Sequence, residues 1–69
     1  MKLSARNQIA GKVVNVNEGA VNGIVTLAFD GGQITGTISM NAIKELNLEV
    51  GKEAYAIVKA TSVMVGIDD

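Results

Sequence analysis

The chain has 69 residues with no Cys and no His, which removes disulfide stapling and the usual zinc and redox sites. Six basic residues against seven acidic ones leave a net charge of −1, so no global field draws the chain to nucleic acid or to anionic lipid, and any anion site must be local. A domain near 60 residues buries only about 60% of the surface its unfolded chain exposes. Here 48% of residues are hydrophobic, yet only Phe29 and Tyr55 are aromatic. The core is therefore aliphatic, and the surplus over what one small core can hide predicts a homo-oligomer. No apolar run approaches the ~18 residues of a membrane span and the start has no signal-peptide pattern, so the expected location is the cytoplasm.

In chain order, Ile9, Gly11 and Val13 share one parity while Val14 and Val16 share the other. Either a bulge shifts the phase of this first strand or both of its faces are covered. Asn17-Glu18-Gly19 supplies turn chemistry after it. From Val21 to Phe29 the odd positions Val21, Gly23, Val25, Leu27 and Phe29 form one face, with Asn22, Thr26 and Ala28 on the other, the alternation of a half-buried strand. Asp30-Gly31-Gly32 reads as a hairpin turn. In the following strand Ile34, Gly36, Ile38 and Met40 face inward, while Gln33, Thr35, Thr37 and Ser39 face outward.

A short helix is predicted over Ala42 to Leu46, with Asn41 as N-cap and Asn47 in the left-handed conformation that ends it. Glu49-Val50-Gly51-Lys52 is a turn. Strands are then expected from about Glu53 to Ala60 and from about Val63 to Ile67. Three strands, a helix and two strands give an all-β fold, a small five-stranded OB-type barrel with one short helix between strands 3 and 4. No linker, repeat or low-complexity stretch divides the chain, which predicts a single domain over 1–69.

Chemistry concentrates at the two ends of the chain, in Ser4-Ala5-Arg6-Asn7-Gln8 and in Lys59-Ala60-Thr61-Ser62. Arg6 carries five donors in a planar fork and Lys59 a compact point charge. Ser4, Ser39, Thr61 and Ser62 add neutral donors. These are parts for holding an oxyanion, although scattered cations in a small domain are ordinarily a solvated face. Asn7 and Gln8 fit better as residues that tie down backbone or an adjacent subunit. Gly11, Gly36 and Gly66 read as places of close backbone approach, and no Gly-rich phosphate fingerprint occurs.

The opening Ser-Ala-Arg-Asn-Gln followed by Gly11-Lys12-Val13 resembles the start of the molbindins, small proteins with a Mop or TOBE-type OB domain that bind molybdate or tungstate. Ile38-Ser39-Met40-Asn41, Leu46-Asn47-Leu48-Glu49-Val50-Gly51 and Val58 to Val65 follow the same pattern, so the resemblance covers essentially the whole chain. It implies a hexamer built as a trimer of dimers, with oxyanions held between subunits. The positions it implies as ligands are Ser4, Arg6, Ser39, Lys59 and Ala60, the last through its backbone, with Thr61 and Ser62 as weaker candidates. The metal is then carried as an oxyanion, without direct protein ligands and without an organic cofactor. Such a dianion is acceptor-only, which suits a site of donors and cations without carboxylates.

Other classes fit the residues less well. A nucleic-acid-binding OB surface needs a basic groove with aromatic platforms, and net charge −1 with two aromatics supplies neither. An enzyme would have only a Ser with Lys scheme, for example Ser39 with Lys59, which needs a desolvated Lys. A sensing module that acts on a partner protein is the alternative to storage. Storage of the anion in the cell is the simpler expectation, with no nucleic acid or membrane partner.

Overall fold

The computed structural model describes residues 1–69. Its elements are β1 (Asn7–Asn17), β2 (Asn22–Phe29), β3 (Gly32–Ser39), the helix α1 (Met40–Glu45), β4 (Glu53–Val58) and a 3-10 turn over Ala60–Ser62. The strands form one curled antiparallel sheet in the order β3-β2-β1-β4. The fold is all-β with one short helix between the third and fourth strands, as the pattern predicts.

The double parity of the first strand is a bulge. Val13 pairs with Leu27 but Asn15 pairs with Thr26, so the register slips between them. One extra residue returns Val16 to the inner face beside Val25 and leaves Val14 exposed. The hairpin falls where Asp30-Gly31-Gly32 places it, with Gly31 at φ 100° and Phe29 paired with Gly32. Val21, expected on the inner face, precedes β2 and is 74% exposed.

The helix begins two residues before the predicted start, and its N-cap is Ser39 rather than Asn41. Ser39 is extended, with ψ 150°, and its Oγ accepts from the Ala42 N–H at 3.1 Å. Both residue types are good caps. The choice is made by the sheet: the β2–β3 ladder ends at Asn22 and Ser39, and the Met40 N–H donates to the Val21 carbonyl, which commits Met40 to the first turn. At the other end Asn47 has φ 53°. The Leu48 N–H reaches the Ile43 carbonyl and the Asn47 N–H the Lys44 carbonyl, the paired bonds of a Schellman motif. Lys52 Nζ then takes the carbonyls of Leu46 and Asn47 at 2.6 and 3.2 Å.

Val13, Val25, Leu27 and Ile43 form the core, with Ile34, Ile38, Met40 and Leu48 packed around it. Only 5 of 69 residues are buried, too few to hide the aliphatic side chains the chain carries. Two expectations fail at the C-terminal end. The fourth strand stops at Val58 instead of Ala60, and 63–69 holds no strand. Met64, Val65 and Ile67 are 94%, 91% and 89% exposed. A strand exists only through its ladder, and beyond the Val63 N–H, which turns back to the Ala60 carbonyl, this segment makes no backbone hydrogen bond. The sheet is consequently open between β3 and β4, where an apolar groove of about 750 Å³ is lined by Leu27, Ile34, Ile38, Leu48, Ala54 and Ala56 among others.

Gly11 is a place of close approach, since a Cβ there would lie 2.7 Å from the Ala28 carbonyl oxygen. Gly36 and Gly66 are not, within this chain: no atom lies within 4 Å of a Cβ at either. Gly36 faces the open groove.

Candidate functional site

The β1–β4 ladder sets the candidate site. Its pairs run from Lys12 with Glu53 to Asn7 with Val58, so the residues just beyond the final pair are Arg6 and Lys59. The two cations, 53 positions apart in sequence (59 − 6), come to the same end of the sheet. Ser4 and Ala5 continue from Arg6, and Ala60 and Thr61 continue from Lys59.

Each half has local structure of its own. Before β1 the chain bends at Ser4 and at Arg6, and Gln8 Nε2 donates to the Ala5 carbonyl at 3.1 Å. This is the backbone-tying role expected of Gln8. After β4, Lys59 leads into the 3-10 turn, whose bonds run from the Ser62 N–H to the Lys59 carbonyl and from the Val63 N–H to the Ala60 carbonyl. The N–H groups of Ala60 and Thr61 precede those bonds and have no backbone partner.

Arg6, Lys59, Ser4 and Thr61 are exposed, and none of their side chains enters an intramolecular hydrogen bond. A shallow depression beside them is lined by Arg6, Asn7, Gln8, Ile9, Ile34, Val58 and Val63. No carboxylate is among these residues. The end of the sheet thus offers two cations, hydroxyls and free backbone N–H groups on a surface without competing negative charge, which suits an acceptor-only anion. No group of three His, Cys, Asp or Glu gathers anywhere in the chain that could hold a metal ion directly.

Ser39 does not join this cluster. It ends β3, which runs parallel to β1, and it lies beyond the level of Asn17, since Asn17 pairs with Ile24 and Ile24 with Thr37. Arg6 precedes Asn7 at the opposite end of β1. A Ser39 with Lys59 nucleophile pair is therefore not assembled within one chain. Ser39 still has its hydroxyl proton to donate, because Oγ is the acceptor in its bond to Ala42. Asn7, Val58 and Val63 also line the depression, although the sequence pattern points to no ligand role for them. The parity of Asn7 with Ile9, both half-buried, was the available signal.

A family model described as the TOBE domain matches residues 3–65, nearly the whole fold. A probable molybdenum-pterin-binding protein of Haemophilus influenzae is 62% identical over 69 residues, covering 99% of this chain and 100% of that one. Among solved structures, MopII from Clostridium pasteurianum superposes with a TM-score of 0.89 at 43% identity, covering 96% of this chain and 100% of that chain. The cytoplasmic molybdate-binding protein ModG, in a form with molybdate bound, matches with a TM-score of 0.92 at 43% identity and covers 99% of this chain and 49% of that chain. The chain belongs to the molbindin, or Mop, family of TOBE domains.

Proposed function

We propose that this protein binds molybdate, or tungstate, as the intact oxyanion, at interfaces between subunits of a homo-oligomer, and stores it in the cytoplasm. The observation that carries the reading is the acid-free donor cluster at the start of β1 and the end of β4, where Arg6 and Lys59 flank the Asn7–Val58 pair. Its likeness to a molybdate-bound ModG gives the anion its identity.

Arg6 and Lys59 neutralise the dianion, Ser4 and Thr61 donate through hydroxyls, and Ala60 donates through its backbone N–H. A single chain leaves these groups open to water, where each is worth little. A second copy that covers them lowers the local dielectric and strengthens every charge-assisted bond. It also accounts for Ser39, which reaches such a site from a neighbouring subunit rather than from its own. The same assembly accounts for the exposed Met64, Val65 and Ile67 and for the open groove between β3 and β4: the C-terminal segment adds as the fifth strand, the barrel closes, and the edges of β3 and β4 are covered. A hexamer arranged as a trimer of dimers is the form this assembly takes.

The reading is one of binding rather than catalysis, because every group in the cluster stabilises a bound anion and none is paired with a base. No helix is long and apolar enough to cross a membrane. Native mass spectrometry with and without molybdate, sulfate and phosphate tests the proposal. A multimer that takes up several molybdates in the presence of excess sulfate and phosphate is expected; a monomer without anion uptake would overturn it.

A further inference from the structure

We infer that Gln8 is a positioning residue of the anion site, acting through the bend that carries Arg6. The inference rests on the anion-binding reading above and adds to it a residue that touches no anion. Gln8 is in β1, paired with Ile57, so its backbone is fixed by the sheet. Its side chain reaches back three residues to hold the Ala5 carbonyl. Between those fixed points lie only Arg6 and Asn7, and Asn7 is already paired with Val58. The bend at Arg6 is therefore closed on one side by the ladder and on the other by the Gln8 amide, while the Arg6 guanidinium has no tether of its own in the chain. Without the Gln8 bond, the bend over Ser4 to Arg6 loses its one side-chain tie, and more of the order that presents Arg6 must then come from the anion itself.

Gln8→Met keeps the length of the side chain and removes the donor. Because Gln8 is exposed, the variant should fold and assemble as the wild type does, with the same thermal midpoint before ligand is added. Calorimetric titration with sodium molybdate should show binding weakened roughly three- to tenfold, the worth of one neutral hydrogen bond, and Gln8→Asn, too short to reach Ala5, should behave alike. In an Arg6→Ala background the same substitution should change affinity less than about twofold, because the guanidinium that Gln8 positions is gone. An undiminished effect in that background, or a lowered midpoint in the unliganded single variant, would assign Gln8 a general structural role and overturn the inference. Wild-type affinity in Gln8→Met overturns it as well while leaving the anion-binding reading intact; failure of the wild type to bind molybdate removes both.

Discussion

The carbonyl of Val13 accepts a hydrogen bond from the Gly51 N–H at 2.8 Å, and the Val13 N–H donates to the Lys52 carbonyl at the same distance. Val13 is the one fully buried side chain in the molecule, and it stands at the β1 bulge. The two bonds fasten the turn after the helix to that bulge, and β4 starts at the next residue, Glu53, opposite Lys12. Five pairs later the ladder ends at Asn7 and Val58, and the next residues on the two strands are Arg6 and Lys59. The turn at Gly51 thus fixes the register on which the candidate site depends.

Gly51 has φ 97°, a region that a side chain enters only with strain. A Cβ there would meet nothing within 4 Å, so the penalty of Gly51→Ala is conformational rather than steric. It should cost about 1–2 kcal/mol, read as a lower urea midpoint with an unchanged m-value. A variant as stable as the wild type would mean that the turn relaxes to another conformation without loss.

Arg6→Ala and Lys59→Ala should each weaken molybdate binding by about 1.5–3 kcal/mol, roughly ten- to a hundredfold in Kd. Both residues are exposed at a sheet end and support nothing else in the chain, so their unliganded thermal stability should match the wild type. Titration calorimetry decides the matter, and unaltered affinity in either variant would take that residue out of the site.

Ser39 combines two tasks, and its substitutions should separate them. Ser39→Ala loses the cap on the Ala42 N–H and should destabilise the protein by about 1 kcal/mol, besides lowering molybdate affinity. Ser39→Thr keeps the hydroxyl and should preserve both properties to within a few tenths of a kcal/mol. If Ser39→Ala lowers the denaturation midpoint but leaves affinity untouched, Ser39 is a cap alone.

How far these features can be read from sequence depends on which partner each residue needs. The hairpin at Asp30-Gly31-Gly32 and the left-handed Asn47 are decided within four residues of chain, and both are legible. The helix cap is not decided locally: Ser39 and Asn41 are equally suitable residue types, and the choice lies in the ladder end at Asn22. The bulge at Val13 was visible as a conflict of parity, but only the pairing with β2 selects it over a strand covered on both faces. The meeting of Arg6 and Lys59 has no local signal at all. It follows from the β1–β4 register, which is set by the turn and the buried Val13. For Val63 to Ile67 the alternation reads as a strand whether the ladder it joins is its own or another copy's, so sequence pattern could not tell the two apart.

That ambiguity supplies the assembly prediction. Val65 and Ile67 are exposed in the single chain and touch none of its core, so a charge there costs an isolated monomer nothing. In a multimer whose barrels close through this segment, the same charge is buried without a partner, a change worth several kcal/mol per interface. Val65→Asp and Ile67→Asp should therefore leave the fold of the chain intact by far-ultraviolet circular dichroism while sedimentation shifts from a multimer to smaller species. Gly36 supplies an independent check from the groove side, because a large side chain at this open position occupies the space the added strand would fill. Gly36→Leu should also dissociate the multimer, although in a lone chain it would only replace a glycine that weakens its strand. Substitutions on opposite sides of one contact should give the same dissociation. A wild-type sedimentation profile in all three variants would locate the interface elsewhere and return the C-terminal segment to solvent.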